Sequence, residues 1–266
     1  VVERLVYHLL FPALLFASIV KSPLHPSAAA NLVMGGVLVI GAGVTLAYLI
    51  HWLPGIDHRL HASGAQIAFR FNSYIALALA ERLGGAMGVA WIAILIAVCV
   101  PLCNAGAVWF LARHGGQDTW KEMARNPLIL STVAGLTVQL LGIPLPDWLV
   151  GTVSRIGQAA LPMGLLAVGA GLKIGGLTAA PQLAVGLLTI RHLVLPCMAW
   201  WLGPALGLPP EQSSILLAFA ALPTASSAYV LAVRMGGHGP FVAGLITLST
   251  LLGMASIPLW LSLASR

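Results

Sequence analysis

The chain has 266 residues, of which 59% are hydrophobic and only 8% charged, and its 13 Lys and Arg outnumber 7 Asp and Glu to give a formal charge of +6. A mean hydropathy of +0.96 excludes a soluble domain, and basic residues confined mostly to loops of such a chain set membrane orientation rather than bind nucleic acid. Apolar runs of about 20 residues point to spanning helices and exclude a β-barrel, whose strands are about half as long and alternate.

Nine spanning helices are predicted, over residues 5–20, 28–53, 64–83, 86–112, 127–143, 156–172, 181–202, 212–233 and 241–263. The second and fourth are long enough to tilt. Short loops rich in Pro, Gly and Asp separate them, at 21–26, 54–59, 115–118, 144–147 and 207–210. Asn126-Pro127 and Pro209-Pro210-Glu211 have the form of helix starts, with proline in the first turn. The chain opens on Val1 and enters an apolar run directly after Glu3 and Arg4, so an N-terminal piece is expected to be missing.

The stretch that organises the chain is 215–233, apolar enough to span yet carrying Pro223, Thr224, Ser226 and Ser227 at its middle. A proline there removes a backbone donor and pushes away the carbonyl one turn earlier, which predicts a break in the helix. An earlier stretch, 67–82, matches it: Arg82 pairs with Arg234 and Gly84-Gly85 with Gly236-Gly237 at a separation of 152, placing Phe71 opposite Pro223 and Asn72 opposite Thr224. Two polar interruptions at corresponding points of two halves are the sequence signature of a transporter's binding site.

The repeat extends further. LFPALLFA at 10–17 matches ALPMGLLA at 160–167, with Pro12 against Pro162 at an offset of 150. The first helix thus matches the sixth, and the second, third and fourth match the seventh, eighth and ninth. The fifth would need a partner before Val1, so the expected fold is all-α: a polytopic membrane protein with an inverted five-plus-five repeat, two broken crossover helices and its first helix lost. An odd number of crossings per repeat forces the inversion. The expected division is 1–113 for the first repeat, 114–126 for a cytoplasmic connection and 127–266 for the second repeat. One side collects Arg4, Arg59, Arg113, Lys121, Arg125, Lys173 and Arg234, the other Lys21, Arg82, Arg155 and Arg266; the first is expected to be cytoplasmic and the C-terminus outside.

At the breaks, an unwound turn leaves backbone N–H groups for a ligand, and the N-terminus of the following half-helix adds a positive dipole end. Both suit a carboxylate. Asn72, Ser73, Thr224, Ser226 and Ser227, with Pro223 and Ala225 shaping the turn, form the candidate substrate site. The alternative for each hydroxyl is a bond to a backbone carbonyl or neighbouring helix. Asn72 favours function, since Asn in lipid is costly and packing does not need it. Arg70 would supply positive charge to an anion or, equally, reach the interface. Arg191, in mid-span, would attract an anion or tie one part of the bundle to another. Asn104 would line the same cavity or bond between helices. Tyr74 and Tyr229 flank the breaks as hydroxyl donors, gates or plain packing.

The other chemistry-bearing residues point to nothing further. Cys99, Cys103 and Cys197 lie inside apolar stretches as small fillers, with no disulfide frame. His51, His58 and His61 beside Asp57 lack the spacing of a zinc motif and are expected in a hydrated loop. His8 and His192 are expected to be bonded within the bundle. No metal or cofactor is expected.

In its ordered fragments the chain resembles the auxin efflux carrier family, which includes the plant PIN auxin carriers and bacterial malonate or malate permease-like proteins. The fragments are FPALLF at 11–16, FNSYI at 71–75, Cys103-Asn104, NPLI at 126–129, ALPM at 160–163 with Gly169, and ALPTA at 221–225. The resemblance covers nearly the whole chain. It implies ten helices in an inverted repeat, two broken helices crossing at a proline, elevator-like movement of a crossover domain against a scaffold, and small organic anions as substrates. It also implies that Asn126 contributes to the substrate pocket, although Asn before Pro is simply a good helix start. Where relatives often have Pro-Asn in the first broken helix, this chain has Phe71-Asn72, so a gentler first bend is expected.

The function expected is a secondary transporter of small organic anions in the inner (plasma) membrane, multi-pass, with homodimerisation left open. A sodium-coupled organic-anion symporter and an anion channel are the other classes. A channel neither saturates nor shows counterflow, and removing sodium separates the symporter. An enzyme is not expected: no Gly-x-Ser-x-Gly elbow, no His-Glu-x-x-His and no aspartate inside a span is present. Glu81, at the end of the third predicted helix, is the only acid near a span, so coupling to an ion through a mid-membrane carboxylate is unsupported.

Overall fold

The computed structural model describes residues 2–21, 26–114, 125, 127–160, 162–163, 166 and 174–264, and all its regular elements are helical. Two short turns, Val2–Leu5 and the π-helical Val6–Leu10, lead into α1 (Phe11–Val20). There follow α2 (Pro26–Ile50), α3 (His58–Gly64) with a 3₁₀ turn at Ala65–Ala68, α4 (Ser73–His114), α5 (Pro127–Leu140) and α6 (Asp147–Gln158). A 3₁₀ turn at Ile174–Ala179 precedes α7 (Pro181–Thr189), a π turn (Ile190–Val194), α8 (Leu195–Ala205), α9 (Pro210–Ala221), α10 (Ser227–Arg234) and α11 (Gly239–Ala264).

Four described stretches are long and apolar enough to cross a bilayer: Ala30–Ile50, Ile94–Ala112, Pro181–Ala205 and Gly239–Ala264. The other predicted spans are shorter or interrupted. The third begins at His58 rather than 64, because Asp57 caps the helix by accepting from the Leu60 N–H at 2.8 Å. The sixth begins at Asp147 rather than 156: Pro146 ends the loop, and Asp147, Thr152, Ser154 and Arg155 had kept that turn too polar to read as a span. Most of its predicted remainder, with Gly169, lies outside the described residues.

The helices sort into two groups. In one, α5 and α6 each pack on α1 and on the π turn before it, and Lys21 Nζ donates to Ser154 Oγ between α1 and α6. The remaining helices pack around the chain breaks at 70–72 and 222–225, touching the first group mainly through α4 and α10. Close approach within the second group depends on missing side chains. A Cβ at Gly43 of α2 would stand 2.9 Å from Phe69 Cβ, and one at Gly253 of α11 would stand 3.3 Å from the Pro223 ring.

The paired glycines of the two halves both turn the chain after a broken helix. Gly84 and Gly85 interrupt α4, with Gly85 at φ 54°, and Gly236 ends α10 at φ 75°. These left-handed values cost glycine little and a residue with a Cβ much more. The left-handed residue is the second of one pair and the first of the other.

Candidate functional site

The two breaks meet. The regular helices end at Ala68 and Ala221 and resume at Ser73 and Ser227, with the last bonds of the first arms running from Arg70 N–H to the Gln66 carbonyl at 2.9 Å and from Leu222 N–H to the Phe219 carbonyl at 3.4 Å. Between them the Asn72 N–H donates to the Pro223 carbonyl at 3.0 Å, so each extended segment supplies a partner that the other's lost helix would have provided. Pro223 accounts for the second break. The first has no proline: Phe71 is instead held by an edge-to-face contact with Phe219, ring centroids 4.5 Å apart, and the Phe69 carbonyl accepts from Cys103 Sγ at 3.4 Å. The interruption without proline covers 70–72 and the one with it 222–225.

Two half-helices start at this crossing. Asn72 caps α4: its Oδ1 accepts from the Ile75 N–H at 3.2 Å and its carbonyl from Ala76 N–H at 3.0 Å. The side chain at 72 therefore has a structural duty that the sequence did not reveal. Ser73 opens α4 and is half-buried, and Tyr74 follows in the first turn. At α10 the N-cap residue Ser226 makes no side-chain capping bond; Ala228 and Tyr229 N–H groups reach back to the carbonyls of Ala225 and Ser226, both at 3.1 Å. An end of this kind favours negative charge.

Arg70 is 5% exposed and does not reach the interface. Its Nη1 donates to Asn104 Oδ1 at 3.0 Å and its Nη2 to Ser227 Oγ at 2.6 Å, which brings α4's distal half, the first break and the start of α10 onto one guanidinium. Asn104 thereby makes the interhelical bond that was one of its two readings, while its Nδ2, like Thr224 Oγ1, is buried with no partner among the described residues. Thr224, Ser226 and Ser227 are all buried.

Arg191 has a different task. It is fully buried, and its Nε donates to the Leu222 carbonyl at 2.6 Å and its Nη2 to Phe219 carbonyl at 3.4 Å. A cation on the last carbonyls of α9 meets the negative end of that helix dipole. Arg191 thus ties α7–α8 to the break. Next to it, His192 contacts Ser249 Oγ at 2.9 Å and Ser256 Oγ at 3.0 Å, and Ser249 Oγ accepts from the Thr224 N–H at 3.0 Å. Pro196 has no N–H for the His192 carbonyl, and Trp260 Nε1 supplies one at 2.9 Å. This chain fixes the second break to α11.

Sequence reasoning missed Ser249 and Gln66. Gln66 Nε2 donates to the carbonyls of Ser63 and Ala228, each at 3.1 Å, linking the arm before the first break to α10. The signal available was a polar residue inside an apolar run. Two expectations need correction. His61 is buried and contacts the Ala47 carbonyl at 2.7 Å, so the histidine group is not simply a hydrated loop, although His58 and His51 do pair on the exposed side with Nδ1 atoms 3.0 Å apart. Cys197 is exposed rather than a core filler, unlike Cys99 and Cys103. Asn126 lies outside the described residues. Among those described, no cluster of His, Cys, Asp or Glu could hold a metal ion.

Residues 74–261, most of the chain, match the family described as membrane transport protein, and the chain belongs to that family, the one that includes the auxin efflux carriers. A protein of Rhizobium meliloti provisionally named a malonate transporter is 30% identical over 141 residues, which are 52% of this chain and 43% of that one. An uncharacterized transporter of Methanothermobacter thermautotrophicus is 26% identical over 266 residues, 97% of this chain and 86% of that protein. The activity class is therefore membrane transport.

Proposed function

We propose that the chain is a secondary carrier of small organic anions, carboxylates such as malate, malonate or auxin-like acids, which bind where the two broken helices cross. One observation carries this reading: Arg70, buried at the crossing, holds Ser227 at the uncapped start of α10 and Asn104 on α4, so a fixed cation and a helix N-terminus converge on one point. A guanidinium offers a planar fork of N–H groups that fits a carboxylate. Asn72, Ser73, Tyr74, Pro223, Thr224, Ala225 and Ser226 would complete the pocket, with Asn104 Nδ2 and Thr224 Oγ1 as buried donors open to a ligand. Arg191 would position the break rather than touch substrate.

The substrate class draws support from the Rhizobium relative's name. The sorting of helices into two groups supports an elevator-like step, in which the α1–α5–α6 group stands as scaffold and the crossing group moves. The matching glycine turns support an inverted repeat divided as 1–113, 114–126 and 127–266. The basic ends at Arg4, Arg59 and Arg234 fit a cytoplasmic face in the inner (plasma) membrane. The test is counterflow: full-chain protein in liposomes preloaded with unlabelled malonate should accumulate labelled malonate transiently and saturably. Flux without counterflow would make it a channel; counterflow that requires sodium would make it a symporter.

A further inference from the structure

A cleft of about 200 Å³ lies where the N-terminal turns meet α10, lined by Arg4, Val230, Val233 and Arg234. Its two sides belong to the two helix groups. Arg4 sits on the turns that pack with α1, α5 and α6, whereas the valines and Arg234 belong to α10, which the π turn Val6–Leu10 touches. Both arginines are exposed, and His8, on that π turn, lies within electrostatic reach of both. The cleft thus has two guanidinium groups at its rim and a floor of valine side chains.

That combination selects a ligand. Two like charges facing each other across a seam repel, and an oxyanion between them removes the repulsion while a short apolar tail rests on the valines. Arg234 also lies about 10 Å along α10 from Ser227, where the crossing begins. A positively charged recess with low-dielectric walls concentrates anions at its mouth.

We propose that this cleft is a second anion subsite, an access vestibule that takes the carboxylate of a small organic acid on its way to the crossing. The assignment rests on the transport reading given above, which names the class of ligand. Because Arg4 and Arg234 stand on opposite groups, an anion held there also bridges the scaffold and the moving part.

The vestibule is tested without measuring transport. In a Cys197→Ser background, which removes the exposed native thiol, Val233→Cys introduces a reporter on the cleft wall. Full-chain protein in neutral phosphatidylcholine vesicles is treated with an anionic and a cationic methanethiosulfonate. With each rate normalised to that reagent's rate with a small free thiol, the anionic reagent should be favoured about tenfold or more beside two cations, and malonate should slow it. Adding Arg4→Gln and Arg234→Gln should bring the two rates together and abolish protection. Equal rates with both arginines present would overturn the proposal, and this arm needs no arginine variant to fold. Selectivity that malonate leaves untouched but phosphatidylglycerol abolishes would assign the cleft to a lipid phosphate and overturn the carboxylate reading. Arg70→Gln, which should disable transport, should leave selectivity and protection intact, so a failure at the crossing and a failure at the vestibule are told apart.

Discussion

Replacing Arg70 separates a binding cation from a structural one. The side chain donates from two terminal nitrogens, to Asn104 Oδ1 at 3.0 Å and Ser227 Oγ at 2.6 Å, and is nearly buried. Arg70→Gln removes the charge and shortens the reach. For the fold, two effects oppose: bonds to Asn104 and Ser227 are lost, but a desolvated guanidinium is no longer buried, and such exchanges are often close to neutral. For a carboxylate bound at the crossing nothing offsets the loss. Truncating one partner of a buried charge pair costs about 2–5 kcal/mol, which at about 1.4 kcal/mol per factor of ten is about thirtyfold to several thousandfold in affinity. Arg70→Lys keeps the charge without the fork and should fall about tenfold short of the native protein. The assay is concentration-dependent counterflow of malonate and other mono- and dicarboxylates, beside thermal unfolding of the same preparations. Arg191→Gln is the matched control. It takes the donor from the Leu222 carbonyl, while the Phe219 carbonyl keeps the Leu222 N–H, so stranding that one group at about 1–3 kcal/mol should lower the melting temperature while the KM of the folded fraction stays native. A folded Arg70→Gln protein with unchanged KM would refute the assignment, as would an Arg191→Gln protein whose KM rises as far as that of Arg70→Gln.

Three further outcomes follow from the same contacts. Ser249→Ala strands the buried Thr224 N–H and takes from His192 Nε2 its hydroxyl partner, and should cost about 1–3 kcal/mol in thermal or denaturant unfolding. Asn72→Ala removes the cap on Ile75 N–H and should both weaken malonate uptake and cost about 1 kcal/mol of stability; unaltered uptake would take Asn72 out of the pocket. Gly253→Leu drives a side chain into the Pro223 ring, where even a Cβ would stand at 3.3 Å, and should abolish counterflow, whereas Gly41→Leu on α2, where an added Cβ meets nothing within 4 Å, should leave it intact.

Much of this arrangement was legible in the sequence because two facts are local. Spanning potential follows from runs of apolar residues, and a break follows from Pro223 or from a cluster such as Arg70–Asn72 in such a run. The repeat offset made Phe71 and Pro223 equivalent positions of two halves, whereas their meeting in space was expected only from the family resemblance. What was illegible depends on a third helix. Whether Arg70 faces water or the crossing is set by Asn104, 34 residues away, and by Ser227, 157 away; one side chain's hydropathy fits both outcomes. The start of α6 was missed for the opposite reason, since Pro146-Asp147 is a sound local start signal that a window tuned to apolar length passes over.

The two buried arginines show why counting intramembrane charges does not locate a binding site. Each is an unfavourable burial that something must offset, and the offsets differ in kind. Arg191 lies on the final carbonyls of α9, where the backbone already presents partial negative charge that offsets the burial of its Nε and Nη2, although its Nη1 is buried with no partner among the described residues. Arg70 lies at the opposite pole, beside the first residue of α10, where the dipole is positive and adds to the guanidinium's field. A broken helix has both ends near mid-membrane, and the same interruption therefore creates one place that anchors a cation and another where a cation makes the surroundings attractive to an anion. Placing Arg191 at the first and Arg70 at the second gives the crossing a polarity: rigid on the α9 side, receptive on the α10 side. Exchanging the roles, with Leu222 and Phe219 carbonyls facing the proposed ligand, would present negative partial charge to a carboxylate and close the proposed site to it.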